Sequence, residues 1–545
     1  MPRKSRSLHT LAQQRFGYER LHPGQERAVK SVLEGHDTLV VMPTGGGKSA
    51  IYQLAASMIK GATIVVSPLL ALQRDQVQAI AQQDVGDAAV INSTVRERDR
   101  QEIFESWQAG ELEFLFLAPE QFSNPETLEQ LQAAKPSLFV VDEAHCVSAW
   151  GHDFRPDYLR LGEVIEQLGH PRVLALTATA APPIQEEITR HLGMETPVVI
   201  VEGFDRPNIW LAAERYDDDG EKLDALCDRV EQVDKPGIIY AATRKRTEDI
   251  AQRLTENGIR ASFYHAGMKA AEREQIEAAF MQDEVDVLVA TTAFGMGIDK
   301  PNVRFVFHAD ISNSVDSYYQ EIGRAGRDGD PAKALLFYNP ADLNLKRFFA
   351  SGSKVNAEQV EQVTEVLQQQ DDAITVEILQ EQVELSSSKL KTTLNRLAEA
   401  GVVETLPTGE VAIADSEIDP DEATIAIVEI QHQRRQWEQS RLEMMRGYAE
   451  VKDCRRKYLL NYFGEAFDAP CDQCDNCKAG IAVDDEHGDN HPFPLNARVN
   501  HKTWGEGTVI RHEGDKVVVL FEKVGYKTLG AAIARLYGVL RRVKP

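Results

Sequence analysis

Short apolar runs punctuate residues 37 to 340: DTLVVM, ATIVVS, LFVVDE and RVLALT, then GIIYAA, DVLVAT, VRFVFH and ALLFY, with helical periodicity between them. Runs of this length, rich in β-branched residues and separated by crossover helices, predict parallel strands buried on both faces. The rhythm breaks near 203 to 235, where GFDRPNIWLAAERYDDDGEKLD brings Pro, Gly and an acidic run. Two α/β domains are therefore expected, one on each side of that break.

Beyond residue 350 the pattern changes. AEQVEQVTEVLQQQ, ITVEILQEQVEL and SSSKLKTTLNRLAEAGVVETLPTGEVAIA predict three helices and a two-stranded wing. Ser386 to Ser388 are cap candidates for the third helix, Gly401 stops it, and the hairpin turns around Pro407 and Gly409. Such a winged helix can bind duplex DNA through its third helix, here with Lys389, Lys391 and Arg396, or serve as a packing or protein-binding surface. The wing tip has no aromatic residue. The acidic stretch ADSEIDPDEA leads into a long basic helix, and AVDDEHGDNHPFP is a polar linker. From 495 on, Gly505 and Gly507 bracket a bend while TVIRH and KVVVLFE alternate around EGDK, which predicts a small SH3-like barrel.

Composition narrows the class. At 545 residues the chain needs several cores, and 43% hydrophobic with 27% charged residues is ordinary for a globular protein. It shows no apolar run of membrane-spanning length, and its basic N-terminus lacks the apolar stretch of a secretory signal, so a cytoplasmic protein is expected. Six Cys are too few for a disulfide framework; four fall between 454 and 477, leaving Cys146 and Cys227. The net charge of -25 argues against a nucleic-acid partner, but residues 431–457 carry eight Lys and Arg against four Asp and Glu, so a basic surface can exist locally.

The chemistry begins at MPTGGGKSA, between the first strand and a helix. Thr44, Gly45, Gly46 and Gly47 let backbone N–H groups turn toward phosphate oxygens, Lys48 offers a cation to the β/γ-phosphates and Ser49 a hydroxyl to Mg²⁺. The first Gly of the general P-loop pattern is replaced by Met42. At the end of another strand, VVDEAH supplies Asp142 to hold Mg²⁺ through water and Glu143 to orient the attacking water. In YYQEIGRAGRDG, Arg324 and Arg327 fall three apart on what reads as a helical turn; they fit either arginine fingers on the γ-phosphate or a surface salt-bridge helix. Cys454, Cys471, Cys474 and Cys477, at intervals of 17, 3 and 3, suit one tetrahedral structural Zn²⁺ with no open position. In DEAHCVSAWGHDFRPDY, Trp150, Phe154 and Arg155 follow the acidic pair closely and fit either base stacking or a core plug.

FGYERLHPGQ, MPTGGGKS, VVSPLLALQRDQV, LAPEQF, DEAHCVSAWGHDFRPDY, LTATA, FDRPN, GIIYAATRK, YHAGM, VATTAFGMGIDKP and YYQEIGRAGRDG follow one another in the order found in RecQ-type superfamily 2 DNA helicases. The resemblance covers residues 8 to about 350 and resumes at 441 to 480. It implies two RecA-like lobes and Mg-ATP-dependent 3′–5′ movement on single-stranded DNA with unwinding, in DNA repair and recombination. It also implies that Gln25 reads adenine with Tyr18 stacked on the base, while His22 stands where the family usually has Arg. By the same resemblance Trp150, Phe154 and Arg155 sense DNA, Ser67 and Gln73 line its track, Thr177 and Thr179 couple track to nucleotide, and Gln320 reaches toward the phosphates. Gly295, Gly297 and Asp299 allow close backbone approach, and the four cysteines match the family's zinc module.

The chain is expected to depart from the family's usual order, with the winged helix before the zinc module and without the helical C-terminal domain many members carry. The barrel pattern RVNHKTWGEGTVI…KVVVLF instead resembles the Tudor-like module of UvrD/PcrA-type helicases, which is associated with RNA polymerase. Protein docking through Trp504, Phe521 and Tyr526 is expected there, with RNA polymerase the first candidate; Lys502, Arg511, Arg541, Arg542 and Lys544 would serve a competing use on DNA. Deleting the barrel is expected to leave unwinding nearly intact. The expected organisation is lobe 1 over 1–205, lobe 2 over 206–350, winged helix over 351–418, zinc subdomain over 419–480, linker over 481–494 and barrel over 495–545, in a monomer.

Overall fold

A computed structural model describes residues 2–543 except 84, 93, 149–154, 296–298, 351–356, 371, 406–409, 415–419, 468–469 and 483–491. The chain divides into two compact units: residues 1–42, 46–202 and 351–434, and residues 43–45, 203–350 and 435–545.

The first unit is built on a parallel sheet. Its strands are β1 (Thr38–Val41), β2 (Thr63–Val66), β3 (Ala88–Ile91), β4 (Phe114–Leu117), β5 (Leu138–Val141), β6 (Arg172–Thr177) and β7 (Val198–Val201), in the order β3-β4-β2-β5-β6-β1-β7. The strands β1, β2, β4 and β5 are buried at every position, as a sheet covered by helices on both faces requires. Val40, Val65, Phe116 and Val140 join Ile51, Leu54 and Val29 in one core. The same unit holds the winged helix: helices Ala357–Gln368, Val376–Gln382 and Ser387–Glu399, and a sheet of β14 (Ile374–Thr375), β15 (Val403–Thr405) and β16 (Glu410–Ile413) in the order β14-β16-β15. The Ser386 side chain caps the third helix by accepting from Lys389 N, and Gly401 ends it at φ +70°. The Pro407–Gly409 turn lies outside the described residues.

The second unit holds another parallel sheet of β8 (Ile209–Arg215), β9 (Gly237–Tyr240), β10 (Ala261–Tyr264), β11 (Val287–Ala290), β12 (Phe305–His308) and β13 (Ala332–Tyr338), in the order β10-β11-β9-β12-β13-β8. The segment that reads as an interruption thus contains a strand, β8, at the sheet's edge. That edge is covered. Gln473 O accepts from Leu211 N at 3.2 Å, Asp475 Oδ2 accepts from Ala213 N at 3.0 Å, and Leu211 forms a parallel bridge with Cys474. The cysteine-bearing turn satisfies backbone groups that an open edge would leave unpaired.

The barrel comprises β17 (Arg498–His501), β18 (Gly505–Glu513), β19 (Lys516–Phe521), β20 (Gly525–Gly530) and β21 (Leu540–Arg542), antiparallel in the order β20-β19-β18-β17-β21. Two expectations about its surface are corrected in part. Phe521 is fully buried and Tyr526 is 7% exposed, so these two rings belong to the interior rather than to a partner anchor, while Trp504, stacked on His501 at 4.1 Å, is half-buried. Arg511, 4% exposed, lies 3.7 Å above the Tyr458 ring and pairs with Glu513 at 2.6 Å, which removes it from any phosphate-binding set. Lys502, Arg541 and Arg542 are exposed; Lys544 lies outside the described residues.

Candidate nucleotide and DNA site

Three neighbouring strand ends of the first sheet gather the acidic and phosphate-binding motifs. β1 runs into the glycine loop, β6 beside it ends at Thr177, and β5 next in order is followed by Asp142 and Glu143. Ligands of open α/β sheets bind at such carboxyl edges. Gly47 takes φ +72° as it opens the helix Lys48–Ala56, a left-handed conformation that favours glycine. A Cβ there would stand 2.3 Å from Gln25 Nε2. Gln25, 3% exposed, donates to the carbonyls of Gly46 at 3.1 Å and Gly47 at 3.2 Å and accepts from His22 N at 2.9 Å. Its amide therefore props the loop from within. Lys48 Nζ donates to Met42 O at 3.2 Å. Thr44 and Gly45 precede in the loop, Ser49 lies in the helix's first turn, and Tyr18 is 38% exposed and stacks on Phe16 at 5.9 Å.

Burial pushes the Asp142 carboxyl up to about 7; Glu143 adds repulsion and Lys48 opposes both. Glu143 takes φ +48°, a strained conformation for a side-chain-bearing residue, and its N–H donates to Asp142 Oδ1 at 3.0 Å. Its Oε2 is buried, accepts no hydrogen bond among the described residues and lies 3.3 Å from His145 Nδ1. His145, fully buried, meets Thr177 Oγ1 at 2.9 Å, and that hydroxyl donates to Thr179 O at 3.2 Å. A continuous polar path thus joins Glu143 to the LTATA strand end. Tyr158 OH donates to the Asp142 carbonyl at 3.1 Å, which holds the strand end from the other side. The carboxylates and Ser49 are hard oxygen donors and suit Mg²⁺.

Among the residues assigned to DNA, Arg155 N donates to Cys146 O at 3.1 Å and its Nη1 to Pro68 O at 3.0 Å, which ties the DEAH segment to SPLLALQ. Ser67 and Gln73 lie inside the lobe, 2% and 0% exposed. Gln73 Nε2 donates to Ser67 O at 2.8 Å and Oε1 accepts from Asn92 at 3.3 Å, so this amide holds the loop and offers no open contact to DNA. Trp150, Phe154 and Gly297 lie outside the described residues.

In the second unit the helix Val315–Ile322 carries Gln320 and ends at Gly323, so Arg324 and Arg327 sit on the following turns rather than on the helix. Arg206 anchors those turns: its guanidinium donates to the carbonyls of Gly323 at 3.0 Å, Ala325 at 2.7 Å and Gly326 at 3.0 Å. Asn208 adds a bond to Gly326 O at 2.7 Å. Arg324 is buried, with Nη2 so near Gly295 that a Cβ there would stand 3.0 Å away; Arg327 Nη1 meets Asp299 Oδ1 at 2.6 Å. Burial and the neighbouring Arg324 lower the Arg327 guanidinium.

The sulfur atoms of Cys454, Cys471, Cys474 and Cys477 lie within 4.8 Å of one another, and Cys471 and Cys477 are 3.8 Å apart. Four thiolates at about 2.3 Å from one Zn²⁺ have tetrahedral edges of roughly 3.8 Å. Backbone N–H groups of Lys457 and Cys477 point at the sulfurs of Cys454 and Cys474, both at 3.5 Å. The cluster fits zinc.

Three family descriptions match in chain order: DEAD/DEAH box helicase over residues 22–187, helicase conserved C-terminal domain over 221–329 and RecQ zinc-binding over 413–478. The probable ATP-dependent DNA helicase RecS of Bacillus subtilis is 40% identical over 366 residues, 67% of this chain and 73% of that protein. The chain belongs to the RecQ family of DNA helicases. The RecQ helicase of Pasteurella multocida is 36% identical over 85% of this chain, and the match spans 61% of that longer protein. Among solved structures, the DNA-bound helicase MrfA aligns with a TM-score of 0.52 at 18% identity over 76% of this chain and 59% of its own, a likeness of fold.

Within this RecQ-family chain, four residues of the site escape a motif-by-motif reading. His145 is the last letter of DEAH, Arg206 and Asn208 lie in FDRPN, and Tyr158 closes the loop segment. Each lies inside a recognisable motif or beside one; what the sequence withheld is the bond each makes.

Proposed function

We propose that this protein is a Mg-ATP-dependent DNA helicase that moves 3′ to 5′ along single-stranded DNA and separates duplexes during repair and recombination. One observation carries the reading: Glu143, with a buried oxygen that accepts no hydrogen bond among the described residues, is linked through His145 to Thr177 and Thr179 while its neighbour Asp142 adjoins the phosphate loop. Lys48, Ser49 and the loop N–H groups bind the phosphates, Asp142 holds the cation's waters, and Glu143 orients the attacking water. Bound Mg²⁺ supplies charge neutralisation of the β- and γ-phosphates. Arg324 and Arg327, with Gln320, stabilise charge on the transferring phosphoryl group. Tyr18 and His22 hold the base, Gln25 braces the phosphate loop through Gly46 and Gly47 in place of reading adenine, while Trp150, Phe154 and Arg155 report DNA to Glu143 through the segment that follows it. Zn²⁺ on the four cysteines is structural.

The chain works as a monomer in the cytoplasm on this reading, with Cys146 and Cys227 as free thiols. No helix among the described residues is long and apolar enough to cross a membrane. The barrel docks a protein, RNA polymerase being the first candidate; Ile533, Leu536 and Tyr537, 64%, 79% and 69% exposed, present an apolar face suited to it. The deciding experiment measures strand displacement on a 3′-tailed duplex beside ATP hydrolysis with single-stranded and duplex DNA. Unwinding that Lys48→Ala abolishes, with DNA binding retained, supports the helicase. DNA-stimulated hydrolysis without strand separation assigns a translocase instead, the reading favoured by a wing tip without an aromatic residue.

A further inference from the structure

The barrel is joined to the helix Val315–Ile322 by a buried chain of hydroxyls. Asp316, in the first turn of that helix, is 4% exposed, and its Oδ2 accepts from Tyr462 OH at 2.6 Å. The Tyr462 oxygen in turn accepts from Tyr526 OH, on β20 of the barrel, at 2.8 Å. The two phenol rings stack at 5.4 Å with 27° between their planes. Burial, with Asp316 nearby, holds both phenols above the ordinary range, so both hydroxyls stay protonated and donate.

Tyr526 is itself held by the helix Pro420–Glu450. Its backbone N–H donates to Ser440 Oγ at 3.1 Å, Trp437 Nε1 donates to Glu522 O at 3.1 Å, and Trp437 meets the Tyr526 ring edge-on at 6.1 Å. Gly525, at φ +69°, lets β20 approach so closely that a Cβ there would stand 2.3 Å from Ser440 Oγ. A loosely tethered docking module would not need this inlay.

The helix that receives the chain is fixed at its other buried polar groups too. Tyr319 OH donates to Phe204 O at 2.6 Å, Tyr318 OH meets Tyr448 OH at 3.3 Å, and Glu321 Oε2 takes His308 at 2.7 Å and Ser312 at 3.0 Å. Immediately after it come the turns of Arg324 and Arg327. A buried carboxylate needs its hydrogen-bond donors, and a chain of hydroxyls polarises cooperatively. Loosening the outermost member therefore weakens the grip on Asp316 and on the first turn of this helix.

We propose that Asp316, Tyr462 and Tyr526 are positioning residues of the ATPase, and that the barrel, through Tyr526, sets the orientation of the helix that carries Gln320 and leads into Arg324 and Arg327. This rests on the reading of those arginines as the transition-state cations. It also reverses the expectation that the barrel is dispensable for catalysis.

The test uses the full chain with Tyr526→Phe, Tyr462→Phe and the double variant, measuring kcat and KM for ATP with saturating single-stranded DNA, DNA affinity by fluorescence anisotropy, and Tm. Tyr526→Phe keeps the ring and removes only the outer hydroxyl. It is expected to lower kcat roughly three- to tenfold, about what one net hydrogen bond is worth, with KM and DNA affinity within about twofold of wild type. Tyr462→Phe should cost more because it removes both links, and the double variant should be no worse than Tyr462→Phe alone. A kcat within about twofold of wild type for Tyr526→Phe, whatever its Tm, overturns the proposal, as does a double variant whose losses multiply. Arg327→Ala separates the premise from the inference. If it leaves turnover intact, the arginine reading fails and takes the proposal with it; if it abolishes turnover while Tyr526→Phe does nothing, the clamp alone is wrong.

Discussion

Asp142→Asn should make the ligand-free protein more stable while destroying its activity. The carboxyl is raised from 3.8 to about 7, chiefly by burial, so unfolding frees a group that prefers to be ionised. The sign follows from linkage. Below about pH 4 both states hold the proton and the full stability is present; as pH rises the unfolded chain loses its proton first, and stability falls until the folded carboxyl also ionises near 7. The full loss is about 4 kcal/mol. The carboxylate keeps some exposure and solvent screening, which reduces the working figure to about 2 kcal/mol. Asparagine mimics the protonated acid and escapes the loss. At roughly 2–4 °C per kcal/mol for a domain of this size, Asp142→Asn should raise Tm by about 4–8 °C at pH 8 and leave it unchanged at pH 4. The assay is thermal denaturation from pH 4 to 8.5 in magnesium-free buffer without chelator, so that zinc stays bound. Added Mg²⁺ with nucleotide should close the gap, because the cation then offsets the buried charge. A variant no more stable than wild type at pH 8, or a difference that does not vary with pH, refutes the assignment of Asp142 as a desolvated cation-binding carboxylate.

Arg206→Ala should remove charge-assisted bonds from the carbonyls of Gly323, Ala325 and Gly326, of which Asn208 rescues only the last. Two orphaned carbonyls cost about 2–5 kcal/mol together, and kcat should fall at least tenfold with KM for ATP little changed; steady-state ATPase checks this, and Arg206→Lys should restore only part because one ammonium cannot reach three carbonyls. Cys474→Ser should release zinc and bare the edge of β8, which the turn covers at Leu211 and Ala213. The expected readouts are less than one zinc per chain by metal analysis, a lower Tm and concentration-dependent aggregation in light scattering.

The apolar runs that announce strands in the sequence become β1, β2, β5 and β6 in one sheet and β9, β11, β12 and β13 in the other. The strands without such an announcement include all four sheet edges: β3 and β7 in the first, β10 and β8 in the second. The reason is burial. A central strand is covered on both faces and flanked on both sides, so its composition is forced; an edge strand is free to be Ala-rich like AAVI, to expose Val199 and Val201 like VVIV, or to carry Trp, Glu and Arg like IWLAAER. β8 hides best of all, because its neighbour on the open side is a turn more than 250 residues away in the chain, and nothing local to IWLAAER records that contact. β4 breaks the rule: FLFL is buried throughout and as apolar as its neighbours.

The site divides along a similar line. Residue types that chemistry demands at fixed spacing, such as the glycines before Lys48, the paired carboxylates and the four cysteines, are legible because few alternatives would serve. Whether a polar side chain meets the ligand or holds the backbone that meets it is not written in the residue type. Gln73 and Gln25 are both glutamines within motifs; one bridges Ser67 and Asn92, the other props Gly46 and Gly47, and each has its amide engaged inside the lobe. Tyr526 is the same lesson at domain scale. An aromatic residue on a small barrel reads as an anchor for a partner, but its hydroxyl is committed to Tyr462 and its ring to Trp437. The partner it found lies within its own chain, so a protein that docks on the barrel's exposed Leu536 and Tyr537 would press on an element already wired to the helix before the arginines.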